Sequence, residues 1–120
     1  MNQPQVVVID RDSKQGRKYC EFLEKINYSA LLITSIDALE EYIHLHPAGI
    51  VIIDLDTVEV DKRGLRKLKR EIPDVPFIGF SNRPFHPELT EVIGQEIDVC
   101  ISKPIDEEEL LFWLKSLLDK

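Results

Sequence analysis

Four side chains that could do chemistry each stand directly after a predicted strand. They are two carboxylates, a hydroxyl and an ammonium: Asp10, Asp54, Ser81 and Lys103. Two carboxylates offer the hard oxygen ligands that suit Mg²⁺, and an aspartate can also act as a nucleophile that forms an acyl phosphate. A hydroxyl and an ammonium can hydrogen-bond to phosphoryl oxygens and neutralise their charge. Taken as a set, these residues indicate phosphoryl chemistry.

Each of these four residues, taken alone, is weak support for phosphoryl chemistry. An aspartate after a strand is more often a helix cap, and a lone serine there is usually a turn residue. The central stretch is Ile50–Thr57, which opens with four β-branched apolar residues and is typical of a strand buried on both faces of a parallel sheet. Ligands bind at the carboxyl ends of such strands, so this pattern places Asp54 at the functional edge.

Five apolar runs alternate with amphipathic stretches along the chain. The predicted strands are Val6–Ile9, Ala30–Thr34, Ile50–Asp54, Phe77–Phe80 and Val99–Ser102. The predicted helices follow the capping candidates Asp12 or Ser13, Ser35 and Asp106, occupy the basic stretch from Lys62, and run from Pro87 through Gly94. Strict alternation predicts one α/β domain over residues 1–120, with a doubly wound, five-stranded parallel sheet in the flavodoxin-like order 2-1-3-4-5.

Composition narrows the possible partners. The chain has 120 residues and a net charge of −7, from 22 acidic and 15 basic side chains. This balance argues against nucleic acid as a direct partner. No stretch approaches the roughly 18 apolar residues of a membrane span, and we expect a cytoplasmic protein without membrane contact. A local cluster of six cations is interpreted as the solvated face of one amphipathic helix: Lys62, Arg63, Arg66, Lys67, Lys69 and Arg70.

Two local features carry predictions of their own. Cys20 and Cys100 lie in apolar patterns without metal-ligand spacing, so both are predicted to be small buried hydrophobes. The Lys103-Pro104 bond joins a strand to a helix, where a cis bond would aim Lys103 across the site, although base rates favour the trans form.

With these motifs and their spacing, the sequence resembles the receiver domain of response regulators, the CheY-like phosphoacceptor half of two-component phosphorelay signalling. The resemblance covers essentially the whole chain. It is carried by Val-Val-Val-Ile-Asp10, Ile-Ile-Asp54-Leu-Asp56, Gly-Phe-Ser81 and Ile-Ser-Lys103-Pro104.

The resemblance implies a regulatory domain rather than an enzyme. In it, Asp54 is the phosphoacceptor and Asp10 belongs to the acidic Mg²⁺ site, to which Asp56 offers its backbone carbonyl. Ser81 is implied to be the switch hydroxyl and Lys103 the phosphate-contacting lysine. The phosphoryl donor is implied to be a histidine kinase or a small phosphodonor.

Four positions depart from the family pattern. Arg11 replaces the second acid after the first strand, Val58 a proline, Asn82 a small residue, and Cys100 the aromatic partner of the switch. Arg11 has three possible orientations: into the site, where it repels Mg²⁺; against Asp54, where it does part of the metal's task; or to solvent, where the metal merely loses a ligand. We expect Mg²⁺-dependent phosphorylation to be impaired or absent.

Two alternatives to a working receiver remain open. The first is a phosphorylation-independent pseudo-receiver, which keeps the fold as a protein-interaction domain. The second is a haloacid-dehalogenase-like phosphatase, in which Asp10 is the nucleophile and Asp12 the acid or base. For a receiver, we expect a protein partner or a homodimer to dock on the surface formed by the 87–94 helix, the fifth strand and the last helix, which carries Phe112 and Trp113.

Overall fold

The computed structural model describes residues 5–83 and 96–118, in which five parallel strands form one sheet with helices on both faces. The strands are β1 (Gln5–Ile9), β2 (Ser29–Ile33), β3 (Ile50–Asp54), β4 (Phe77–Ser81) and β5 (Val99–Ser102). The helices are α1 (Ser13–Lys25), α2 (Ile36–Leu45), α3 (Lys62–Glu71) and α4 (Glu107–Leu118). The strand order is β2-β1-β3-β4-β5, which confirms the predicted doubly wound topology.

The register of the sheet brings the ends of its inner strands into line. Ile9 of β1 pairs with Ile53 of β3, and Asp54 pairs with Phe80 of β4. All five residues of β3 and all five of β4 are buried, because helices cover both faces of the sheet at its centre. A residue that follows one of these strands therefore lies beside the residues that follow its neighbours.

Two apolar layers hold the helices against the sheet. On one face, Val7 and Val51 belong to a cluster that also contains Leu39 of α2 and Leu65 of α3. On the other face, alternate strand residues pack with α1 and α4, as in the cluster that contains Val8. Successive residues of a strand face opposite sides of a sheet, which explains why one run of valines supplies both layers.

Capping side chains begin the helices, and three of them were predicted from the sequence: Asp12, Ser35 and Asp106. Asp12 accepts hydrogen bonds from the backbone N–H groups at the start of α1, and Ser35 accepts one from Ala38 at the start of α2. Asp61 does the same for α3, and Asp106 accepts one from the Glu108 N–H at the start of α4. These caps satisfy N–H groups that have no partner within the helix.

The prediction that both cysteines are buried is right for Cys20 and wrong for Cys100, which is exposed. The reason is the position of β5 at the edge of the sheet, where Ile101 faces the core while Cys100 points the other way. The Lys103-Pro104 bond is cis, against the base rate that favours trans.

The basic cluster on α3 has the predicted solvated face. Arg63, Lys67 and Arg70 are exposed, while Arg66 and Lys69 form ion pairs with acids just before β5. The short helix predicted from Pro87 through Gly94 lies outside the described residues. Among the helices of the described ranges, none has the length and apolar character needed to cross a bilayer.

Candidate functional site

Asp54 is the buried centre of the site, with 1% of its surface exposed at the end of β3. Its Oδ1 accepts hydrogen bonds from the backbone N–H groups of Asp56 at 2.9 Å and Thr57 at 3.2 Å, because the chain turns back over the end of the strand. Its Oδ2 accepts from Lys103 Nζ at 2.6 Å and from Gln15 Nε2 at 2.7 Å. Four donors from three segments therefore orient this carboxylate.

Asp10 is the second buried carboxylate, and it is fully enclosed at the end of β1. Its Oδ1 accepts from the Asp12 N–H and from Thr57 Oγ1, both at 2.8 Å. Its Oδ2 accepts from Gln15 Nε2, also at 2.8 Å. The same amide nitrogen thus joins Asp10 to Asp54, as the predicted convergence of these two residues requires.

Lys103 lies between two acids. Its ammonium is 2.6 Å from Asp54 Oδ2 and 3.0 Å from Asp56 Oδ2. Burial alone would lower the pKa of Lys103, but the hydrogen bonds that Lys103 donates to Asp54 and then to Asp56 outweigh it and raise the pKa above its usual value. The ammonium therefore stays charged and serves both carboxylates.

Asp56 takes part through its side chain as well as its backbone. Its carboxylate accepts from Lys103, from the Asn82 N–H at 2.8 Å and from Ser81 Oγ at 3.2 Å. Burial would raise the pKa of Asp56, but these hydrogen bonds, with Lys103 first among them, lower it below its usual value. The four predicted residues at the strand ends thus meet in one network, in which Ser81 reaches the others through Asp56.

Arg11 turns away from this network. It is exposed, and it lines a cavity on the α2 side together with Ser35, Asp37 and Glu59. Within the described residues its guanidinium makes no ion pair, while its backbone N–H donates to Thr57 Oγ1 at 3.1 Å. Of the three orientations considered from the sequence, the structure has the one that points to solvent.

The oxygen ligands of this site are of the kind that a hard cation such as Mg²⁺ prefers. Asp10 and Asp54 each direct Oδ2 at a single shared point, and Mg²⁺ is often bound by one or two carboxylates together with water and phosphate. Asp10 and Asp54, with the backbone carbonyl of Asp56, are the residues that would hold it. No cluster of three or more histidine, cysteine, aspartate or glutamate ligands is found in the described part of the chain, so the site is poorer in charge than a dedicated metal cage.

The sequence analysis missed two residues of this network, Gln15 and Thr57. Gln15 lies in the first turn of α1, directly above the carboxyl edge of the sheet, and Thr57 lies in the turn that follows β3. A signal for Gln15 was present, because the Asp12 cap fixes where the helix begins and so places its first turn beside Asp10.

No family model matches the chain, but curated proteins are similar to it in sequence. The chain is 24% identical to the transcriptional regulatory protein BaeR of Escherichia coli O6:H1 (strain CFT073), over 98% of this chain and 49% of that protein. It is 32% identical to the circadian input-output histidine kinase CikA of Synechocystis sp. (strain PCC 6803), over 93% of this chain and 15% of the kinase. The chain therefore spans about half the length of the regulator and a small part of the kinase.

Solved structures show the same fold. The signal receiver domain of an HD domain-containing protein from Pseudomonas fluorescens Pf-5 superposes with a TM-score of 0.86 at 19% identity, covering 99% of this chain and 89% of that one. A CheY-like response regulator receiver domain protein from Methanospirillum hungatei JF-1 also gives 0.86, at 17% identity over 98% and 95% of the two chains. This chain therefore has the fold of CheY-like receiver domains, and its sequence is similar to those of response regulators.

Proposed function

We propose that this receiver domain accepts a phosphoryl group on Asp54 and that its metal site is weakened by the loss of the second acid. The observation that carries the proposal is the buried contact of 2.6 Å between Asp54 Oδ2 and Lys103 Nζ. A nucleophilic carboxylate beside a fixed ammonium is the arrangement that phosphoryl transfer needs, since charge on the transferred group must be neutralised. The domain is regulatory, and its phosphoryl donor is a histidine kinase or a small phosphodonor.

The transfer is a single displacement at phosphorus. An oxygen of Asp54 forms a bond to the phosphorus atom of the donor, while the bond from phosphorus to the donor's leaving atom breaks and that atom keeps the electron pair. The N–H groups of Asp56 and Thr57 hold the other oxygen of Asp54, and Lys103 balances the negative charge of the phosphoryl oxygens. A bound Mg²⁺ would add further positive charge to the same oxygens.

The signal leaves the site through the ends of β4 and β5. Ser81 and Lys103 both bond to Asp56, so the acid joins the two strands to the loop after β3. A partner or a second copy docks on the surface of β5 and α4, where Phe112 is 59% exposed and Trp113 packs against its edge. The 87–94 segment assigned to this surface from the sequence lies outside the described residues. Loss of docking on Phe112→Ser, but not on Leu45→Ser at the end of α2, where Leu45 is 78% exposed, tests this surface.

A pseudo-receiver is the second candidate, and one observation favours it. Every carboxylate oxygen of Asp10 and Asp54 already has a donor from the protein itself. The phosphatase reading has less support, because Asp12 uses its side chain to cap α1 through the N–H groups of Lys14 and Gln15. That role commits Oδ1 of Asp12 to the start of the helix rather than to acid or base chemistry.

The experiment is adduct formation with acetyl phosphate, or with beryllofluoride, in the presence of Mg²⁺. We expect an adduct on Asp54, detected by intact mass or fluorine NMR, that is absent in Asp54→Ala and persists in Asp12→Ala. An unmodified wild-type protein at saturating phosphodonor would leave the pseudo-receiver as the function. Turnover of a generic phosphate ester that disappears in Asp10→Asn would instead support the phosphatase.

A further inference from the structure

The carboxamide of Gln15 lies between the two buried carboxylates. Its Nε2 donates to Asp10 Oδ2 at 2.8 Å and to Asp54 Oδ2 at 2.7 Å, so one NH₂ group uses both of its hydrogens. Its Oε1 faces Lys103 Nζ at 3.5 Å. The chemistry fixes this orientation, because the reversed amide would set its oxygen against two carboxylates and its NH₂ against an ammonium.

The amide occupies a position of high negative charge. Asp10 and Asp54 are both buried, and Lys103 contacts Asp54 directly but is shared with Asp56. Two carboxylates aimed at one point repel each other, and a cation between them would ordinarily offset the repulsion. Here a neutral group with two donors is found at that point.

Protein groups donate to every carboxylate oxygen of Asp10 and Asp54. Among the described residues, the only buried side-chain oxygen or nitrogen without a partner is Oε2 of Glu96, which lies outside the site. The position of Gln15 is also built in, because Asp12 accepts from the Gln15 N–H at 3.2 Å and so fixes the first turn of α1. The neighbouring Gly16 allows close approach, since a Cβ there would lie 3.2 Å from Asp10 Cβ.

We propose that the Gln15 carboxamide is a resident substitute for the divalent cation, so that a metal ion can bind only by displacing it. This inference rests on the proposed function in one respect, since it takes Asp10 and Asp54 as the metal-binding pair. It adds a second cause of weak metal binding to the loss of the acid at Arg11. The amide holds the two carboxylates in place, but it supplies no net charge for phosphoryl transfer.

The test is metal affinity without any phosphodonor. Mg²⁺, and separately Mn²⁺, are titrated into wild type, Gln15→Ala and Gln15→Met by calorimetry, with thermal unfolding followed in parallel. The methionine variant keeps the length of the side chain but removes its donors, which protects the comparison if the alanine variant folds poorly. Gln5→Ala is the matched control, because the Gln5 amide hydrogen-bonds to the Val6 carbonyl and the Ser29 hydroxyl at the opposite end of β1.

We expect both Gln15 variants to bind Mg²⁺ at least about tenfold more tightly than wild type, because the ion no longer has to break charge-assisted hydrogen bonds. Without metal they should unfold at lower temperature than wild type, and Mg²⁺ should raise their midpoints more. Equal affinity in all four proteins, or tighter binding only in Gln5→Ala, overturns the inference.

Adduct formation on the same proteins separates this inference from the proposed function. A wild-type adduct on Asp54, combined with unchanged metal affinity in the Gln15 variants, would overturn only the role of the amide. Tighter metal binding in those variants without an adduct in any protein would support the role of the amide and remove the phosphoacceptor function.

Discussion

Replacing Lys103 by methionine tests the electrostatic core of the site. The side chain of Lys103 is 9% exposed and contacts Asp54, whose side chain is 1% exposed, at 2.6 Å. Methionine fills similar space but leaves Asp54 and Asp56 without their shared cation. Removing one partner of a buried ion pair costs about 3–5 kcal/mol, because the remaining charge stays buried without compensation.

The destabilisation expected for Lys103→Met lies near the lower end of that range. Asp56 is partly exposed, at 18%, so water takes over some of its interaction, and Gln15 still donates to Asp54. We expect a loss of about 3 kcal/mol in the free energy of unfolding. For a chain of this length, that corresponds to a fall of roughly 12 °C in the unfolding midpoint.

Urea unfolding at neutral pH, followed by the fluorescence of Trp113, measures the loss. Lys67→Met is the matched control, since Lys67 is exposed on α3 and its replacement should change stability by no more than about 0.5 kcal/mol. The difference between the two variants should shrink at acid pH, where the carboxylates become protonated and no longer need a cation. If Lys103→Met is as stable as Lys67→Met, the ammonium does not hold the network together.

Two further predictions concern pH and packing. The pKa of Asp56 is lowered in the fold and that of Lys103 is raised. The contribution of Asp56 to the free energy of unfolding is therefore present above its unfolded pKa and is lost as the pH falls through the lower pKa of the folded state. The contribution of Lys103 is present below its unfolded pKa and is lost as the pH rises through the higher pKa of the folded state. Urea unfolding measured across the pH range should show both losses of stability, and Asp56→Asn should reduce the loss at acid pH. If the loss of stability at acid pH is the same in Asp56→Asn as in wild type, the prediction is wrong. Separately, a Cβ on Gly16 would lie 2.5 Å from Leu32 Cδ1, so Gly16→Ala should lower the free energy of unfolding by about 1–2 kcal/mol. Gly64→Ala, near the start of α3, is the control and should be neutral or stabilising in thermal unfolding. Equal unfolding midpoints for the two variants would refute the clash.

The strands and helices that position the site could be predicted, because their bounds follow from the apolar runs and capping residues of the sequence. The bounds of β3 and β5 agree with the sequence prediction residue for residue, since apolar runs of fixed length end at polar residues. Parallel pairing then brings the ends of these strands to one edge, which is why Asp10, Asp54 and Lys103 were expected to meet. The starts of α1, α2 and α4 were predicted from their capping side chains.

What could not be predicted depends on side-chain conformation. Arg11 is exposed on the α2 side, and its sequence neighbours do not encode that direction. The amide of Gln15 was missed because glutamine in a first helical turn is ordinary. The Asp12 cap indicates that Gln15 lies near Asp10, but the bridge from its NH₂ group to both carboxylates depends on its side-chain conformation. Cys100 was misjudged because an apolar pattern does not distinguish an edge strand from a central one.

The double contact of Lys103 means that its two acids compete for one counterion. If the charge or the position of Asp54 changes, the share of the ammonium's attraction available to Asp56 changes at once, without any strand having to move. Asp56 also anchors the backbone of Asn82 at the exit of β4. A change of charge at Asp54 would therefore reach the backbone of Asn82 through Lys103 and Asp56, by way of ion pairs and hydrogen bonds alone.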